Sequence, residues 1–173
     1  ELNDIKKELT ITDLVFIISP RINAAGRIDS GRKAVELLIS EDVDTAKGWG
    51  ILINKNNIDR KDIDKLMTLQ ALEMVAQDKI SEHKRTTVLF HPEWHKGVVG
   101  IVASRLIEKH YKPTIVLTQS NGFITGSARS VKNFDVYEAI DACSDLLEQF
   151  GGHTAAAGLT MKPENLQKFT QKF

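Results

Sequence analysis

One cysteine, four prolines and eleven glycines are spread over 173 residues, and each scarcity excludes something. The single Cys143 cannot close an internal disulfide, which points to a reducing compartment and a cytoplasmic location. Glycine and proline are too few for a collagen-like or low-complexity chain. No apolar run approaches the ~20 residues a membrane-spanning helix needs, so no membrane partner is expected. A charge excess is also missing: 23 Lys and Arg face 23 Asp and Glu. Dedicated non-specific nucleic-acid binders carry a basic surplus, so any anion recognition here must come from local clusters. The chain opens Glu1-Leu2-Asn3 with neither Met nor a signal-peptide core, and closes on Gln171-Lys172-Phe173 inside a helical pattern. The expectation is an excised piece of a longer protein. With 42% apolar residues it has enough material for a core without disulfides or metals.

What is present alternates between strand and helix patterns. Leu14 to Ile18 is a continuous apolar run ended by Ser19-Pro20, the pattern of a short buried strand. Asp29 or Ser30 can cap a following helix that carries Val35, Leu37 and Leu38. From about Asp44 to Asp78 apolar residues recur at helical spacing (Trp49, Leu52, Ile53, then Ile63, Leu66, Met67, Ala71, Met74, Val75), too long for an ordinary globular helix. Asn54, Asn56 and Asn57 are poor helix formers and predict a kink or break within it. Beyond it come a strand at 86–91, a helix at 98–110, a strand at 114–118, an Asn121-Gly122 hairpin turn into 123–130, a helix at 135–147 capped by Asp135, a strand at 159–162 and a helix opened by Pro163. This order predicts an α/β fold with a mixed sheet flanked by helices and preceded by a long connector helix.

Four segments can carry chemistry. Gly126-Ser127-Ala128-Arg129-Ser130 joins a glycine that admits close backbone approach to two hydroxyls and a guanidinium fork matched to phosphate oxygens. It also reads as a turn with a surface arginine. Gly151-Gly152-His153 reads either as a helix C-cap with a solvent-facing histidine or as an anion-facing edge where His153 donates or carries a proton. His91-Pro92-Glu93-Trp94-His95 sets two histidines four apart, but Pro92 opposes a helix there and no reliable third ligand follows. Trp94 packs under its loop or stacks on a base, and the helix beginning near Val98 aims its N-terminal dipole at that loop. Residues 19–33 hold four basic side chains, Arg21, Arg27, Arg32 and Lys33, against one acid, Asp29. That is the sharpest local positive excess, suited to phosphate contacts or to internal salt bridging. Cys143, mid-helix among apolar neighbours, reads as core.

Arg21-Ile22-Asn23-Ala24-Ala25-Gly26-Arg27 after Pro20, the stretch from His91 to Leu106, the Gly126–Ser130 segment and Gly151 to Gly158 together resemble the RecJ single-strand-specific exonucleases of the DHH/DHHA1 phosphoesterase family. The resemblance covers nearly the whole chain in order and spacing. It implies that residues 1–30 are the tail of a DHH catalytic domain, 31–82 a helical connector and 83–173 a DHHA1 substrate-binding domain. The family's two Mn²⁺ or Mg²⁺ ions belong to the DHH domain, and no Asp-His-His triplet occurs in this sequence. No metal ligand is therefore expected in the chain, and the fragment alone is expected to be inactive. Ser127 and Arg129 are implied to hold the terminal phosphate of single-stranded DNA. His153, with Gly151 and Gly152, is implied to meet the phosphate near the scissile bond. Arg21, Asn23 and Arg27 are implied to line the path between the two domains. The implied activity is 5′→3′ hydrolysis by two metals in DNA repair and recombination. The implied partners are single-stranded DNA, the missing DHH domain and single-strand-binding protein. The alternatives are a sibling phosphoesterase acting on short oligonucleotides or cyclic dinucleotides, a non-catalytic interaction domain, and a zinc hydrolase built on His91, His95 and His153.

Overall fold

The computed structural model describes residues 8–78 and 83–173. Residues 1–7 of the expected N-terminal segment and 79–82 of the expected connector lie outside it. The chain divides into two compact units, Glu1–Ile63 and Asp64–Phe173.

The first unit is helical. Thr10 caps α1 (Ile11–Asp13) in a reciprocal capping box with Asp13. Leu14–Ile18 continues as a π-helical turn and leads directly into α2 (Ser19–Ile28). The buried strand expected at 14–18 is therefore helix; Leu14, Val15 and Phe16 are exposed, Phe16 by 74%, and Ile17 and Ile18 are half-buried. The reason is local. Pro20 falls in the first turn of α2, where a missing N–H is tolerated, and the π turn precedes it. The Ser19 hydroxyl donates to the Leu14 carbonyl at 2.8 Å, alongside the Ser19 N–H, which bonds the same oxygen and closes the wider turn. α3 (Arg32–Ile39) follows a turn in which the Ser30 hydroxyl accepts from the Arg32 N–H at 3.3 Å. A small core of Ala25, Ala34 and Ile53, with Ile22 and Leu37 against it, holds these helices to the first part of α4.

α4 runs from Val43 to Gln77 without interruption. No break occurs at the asparagines: Asn54 has a tertiary partner and Asn57 one on its own helix, and these outweigh their weak propensity. Asn54 Oδ1 accepts from Arg21 Nε at 3.0 Å, Asn57 Oδ1 accepts from Arg60 Nη2 at 3.2 Å, and Asn56 and Asn57 are buried. Asp42 caps the helix by accepting from the Thr45 N–H at 2.7 Å, and hydrogen bonds from the Thr45 side chain and N–H hold its carboxyl below the ordinary carboxylate range.

The second unit is a five-stranded mixed sheet in the order β1-β2-β3-β5-β4. β1 (Thr87–Phe90) pairs parallel to β2 (Thr114–Ser120) through the crossover helix α5 (Val99–His110). β2 turns at Asn121-Gly122, both with positive φ, into β3 (Phe123–Arg129). β4 (Gln149–His153) and β5 (Ala156–Met161) form a second hairpin through Thr154-Ala155, and β5 pairs with β3. α6 (Val136–Asp141) is capped by Asp135, which accepts from the Tyr137 and Glu138 N–H groups. It stops at Asp141 rather than running to Leu147. A 3₁₀ turn at Ser144–Leu146 follows, where Ser144 and Asp145 favour turn geometry over helix. Cys143 lies at that junction, not mid-helix, and it is core; burial raises its thiol pKa. Pro163 opens a 3₁₀ turn ahead of α7 (Leu166–Lys172).

The sheet's two faces do different work. Ile115, Leu117, Ile124, Ala128, Ala157, Leu159 and Met161 point to one side and pack with Val136 and Ile140 of α6 and Phe169 of α7. α5 covers the β2–β3 part of the other side, burying Val98, Val102 and Leu106. Asp64 of α4, 3% exposed, accepts Arg105 Nε at 2.8 Å and Nη2 at 2.7 Å, and Trp94 Nε1 donates to Gln70 Oε1 at 2.8 Å. These bonds tie the second half of α4 to α5 and its preceding loop. Trp94 is therefore packed beneath that loop, 4% exposed and stacked on His91. The Thr118 hydroxyl donates to the Trp94 carbonyl at 2.6 Å and pins the loop to β2.

Candidate phosphate-binding face

Side chains alternate across a strand, so Ser127 and Arg129 leave β3 on the face opposite the α6–α7 core. Strand register carries that face across the sheet. Ser127 lies beside Gly158, which lies beside Gly151; Arg129 lies beside Ala156, which lies beside His153. Between the serine–arginine pair and the histidine there is only glycine and alanine, a floor of nearly bare backbone. Gly158, Gly151 and His153 are exposed. A Cβ at Gly151 would meet nothing within 4 Å.

The Arg129 guanidinium folds back along its own strand. Nη1 donates to Ser127 Oγ at 2.7 Å and to the Ala128 carbonyl at 2.7 Å. The first turn of α5 stands over the same pair: a Cβ built on Gly100 would lie 2.7 Å from Arg129 Nη2 and 3.0 Å from Ser127 Oγ. A planar cation, a hydroxyl and a helix N-terminus thus converge, the chemistry that binds a phosphate. The glycine of this seat is legible only as a small residue in the 91–106 segment; nothing in sequence spacing assigns it to the Ser127–Arg129 pair of β3.

His153 lies two strand spacings from Arg129, roughly 9.6 Å between backbones. Its Nδ1 accepts the Ala155 N–H at 3.2 Å, leaving Nε2 to meet a ligand. Gly151-Gly152 is not a helix cap, as one sequence reading had it, but the middle of β4. Glycines show no strand period, and Phe150, whose ring joins the core, is the only apolar marker beside them. The Thr154-Ala155 turn is fixed by two bonds, from the Ser130 N–H to the Ala155 carbonyl at 2.9 Å and from the Val136 N–H to the Thr154 carbonyl at 3.1 Å.

Arg21, Asn23 and Arg27 all lie on α2 in the first unit. Arg21 is engaged with Asn54 and with the Ile17 carbonyl, while Asn23 and Arg27 are exposed. His91 and His95 use their Nδ1 atoms to accept the Glu93 and Gly97 N–H groups. Among the described residues no three His, Cys, Asp or Glu side chains are grouped to hold a metal ion. No helix among them is long and apolar enough to cross a membrane.

The DHHA1 domain description matches residues 83–173. The single-stranded-DNA-specific exonuclease RecJ of Bacillus subtilis is 41% identical over 153 residues, 87% of this chain and 19% of the relative. RecJ of Dickeya dadantii is 36% identical over 176 residues, 96% of this chain and 30% of the relative. The crystal structure of Thermus thermophilus RecJ in complex with Mg²⁺ superimposes with a TM-score of 0.83 at 32% identity, covering 93% of this chain and 25% of that one. The chain thus spans less than a third of the length of these RecJ relatives. The matched domain, the five-stranded mixed sheet and the helices on it lead to one conclusion: the chain belongs to the DHHA1 domain family.

Proposed function

We propose that this chain is the substrate-binding portion of a RecJ-type 5′→3′ exonuclease for single-stranded DNA, acting in repair and recombination. The observation that carries the reading is the floor of Gly151, Ala156 and Gly158, bounded by Ser127 and Arg129 on one side and His153 on the other. Arg129 and Ser127 take the terminal phosphate, the guanidinium supplying charge and the hydroxyl one further donor. His153 donates from Nε2 to a second phosphate nearer the scissile bond and offsets charge that develops there during hydrolysis. The small-residue floor lets the sugar–phosphate chain lie against the sheet between the two anchors. A strand gripped by its end is cut at a fixed distance from that end, which gives an exonuclease its polarity.

In this reading residues 1–30 belong to a DHH catalytic domain, 31–82 form the connector and 83–173 the binding domain. Arg21, Asn23 and Arg27 then line the strand's path. Hydrolysis itself uses Mn²⁺ or Mg²⁺ held outside the residues described here, in keeping with the Mg²⁺ named for the Thermus relative. Single-strand-binding protein and a cytoplasmic setting fit the same role.

The test is fluorescence anisotropy with a short single strand bearing a 5′-phosphate or a 5′-hydroxyl, for the chain as it stands and for Arg129→Ala. Tighter binding of the phosphorylated strand, lost in the variant, supports the end clamp. Equal binding of both strands by both proteins refutes it, and a preference for dinucleotides over longer strands moves the reading to a sibling phosphoesterase.

A further inference from the structure

We infer that Gly100 is a positioning residue of the clamp: its missing Cβ is the seat into which the Arg129 guanidinium folds beside Ser127. The geometric part stands on contacts alone, and the functional part rests on the end-clamp reading above.

Gly100 is buried in the first turn of α5, where helix propensity by itself favours alanine. Close packing of helix on sheet is the usual reason for a helical glycine, and here what the helix meets first is side chains rather than strand backbone. The three atoms nearest to a Cβ at this position are Arg129 Nη2 at 2.7 Å, Ser127 Oγ at 3.0 Å and Arg129 Cζ at 3.4 Å. All three are side-chain atoms, and all belong to the two residues that face the floor. Gly126 and Gly152 differ: a Cβ there would run into backbone, Val116 and Leu117 for the first and Ala156 and Ala157 for the second. Those glycines serve the fold, whereas Gly100 serves two side chains.

A methyl at position 100 has an inexpensive way out, because the far end of an arginine moves easily. The helix keeps its register while the guanidinium leaves its place against Ser127 Oγ and the Ala128 carbonyl, bonds of 2.7 Å each. The variant therefore separates the fold from the site.

The experiment uses ¹⁵N-labelled full chain and reads the Arg129 Nε–Hε cross-peak, assigned by its disappearance in Arg129→Lys. It also reads the melting temperature and the 5′-phosphate over 5′-hydroxyl affinity ratio of Gly100→Ala and Arg129→Ala. In Gly100→Ala the cross-peak moves, the melting temperature is no lower than that of Arg129→Ala, and the affinity ratio drops on the order of tenfold, the worth of one charge-assisted hydrogen bond. An unmoved cross-peak overturns the inference. So does a variant that fails to fold, because the methyl has then met something that cannot yield. A moved cross-peak with the ratio retained, while Arg129→Ala abolishes it, also overturns it. If Arg129→Ala keeps the ratio, or no phosphate preference is found in the unaltered chain, the end-clamp reading is what fails, and the cross-peak alone still decides the seat.

Discussion

Adjacent glycines in one motif give the sharpest stability contrast in the molecule. Gly151 leaves β4 on the open face, where an added Cβ meets nothing within 4 Å. Gly152 points to the core face, and its Cβ would lie 2.5 Å from Ala157 Cα and 2.8 Å from Ala157 Cβ, with the Ala156 carbonyl oxygen closer still. Overpacking against side chains costs about 1–3 kcal/mol. Here the obstacle is the backbone of the paired strand, which yields only if the hairpin opens, so Gly152→Ala should cost about 3 kcal/mol or more. Gly151→Ala restricts the unfolded chain at no steric cost and should be neutral or stabilising by up to about 1 kcal/mol. The expected gap of about 3–4 kcal/mol between neighbours corresponds to roughly 6–16 °C in melting temperature for a chain of this size. Urea unfolding and thermal melts followed by circular dichroism measure it. If Gly152→Ala falls within 1 kcal/mol of Gly151→Ala, the division of β4 into a core face and a ligand face is wrong. The Gly151 methyl would stand on the floor itself, so that variant should lose single-strand affinity while keeping its fold.

Asp64→Asn keeps the shape of a buried carboxylate but places an amide donor against an arginine fork that donates twice. With the Arg105 side chain 47% exposed and able to regain water, the loss should be about 2 kcal/mol by urea unfolding, below the full cost of a stranded buried charge. Trp94→Phe removes the Gln70 hydrogen bond and part of a buried ring, and should cost about 1–2 kcal/mol in the same assay. Asp42 has its carboxyl pKa depressed on folding by the Thr45 hydrogen bonds. The cap's contribution is therefore fully present above the ordinary carboxylate pKa and fades as pH falls through the depressed value. Amide exchange at Thr45 should quicken across that acid range in the unaltered chain and be pH-independent in Asp42→Ala, once corrected for intrinsic exchange. His153→Ala should weaken single-strand binding with no change in melting temperature, because the ring is exposed and its hydrogen bond from the Ala155 N–H stays within the hairpin turn.

Where residues carry their own local instructions, the fold was legible. Asn121-Gly122, Asp135 and the apolar spacing of the long helix each state a turn, a cap or a period, and each is found. Two kinds of segment misled. Leu14 to Ile18 is apolar on every side, so its pattern cannot separate strand from helix; Pro20, read as a stop, instead falls in the first turn of α2. Residues 149–153 failed for the opposite reason, since two glycines erase the period of two by which a strand is recognised. The Gly126–Ser130 segment and the Gly-Gly-His motif were visible as separate candidates. Their common face was not, because it exists only through β5, whose register brings Ala156 and Gly158 between them.

Under the proposed function, that arrangement explains why the open face is so poor in side chains. A sheet draws its stability from cross-strand side-chain pairs, yet a strand of nucleic acid can approach the backbone closely only where side chains are small. β5 meets both demands by alternation. Ala157, Leu159 and Met161 pack into the core, while Ala156 and Gly158 leave the other face bare. β4 does the same with Phe150 on one side and Gly151 on the other. Stability on this part of the sheet is therefore one-sided, and it depends on the α6–α7 face. Core truncations such as Leu159→Ala or Phe169→Ala, each worth about 2–5 kcal/mol, should melt β3, β5 and β4 together, and phosphate binding with them. Substitutions on the bare face should instead change binding without lowering the unfolding midpoint. A variant at Ala156 or Gly158 that lost stability as severely as Leu159→Ala would show that the two faces are not separable in this way.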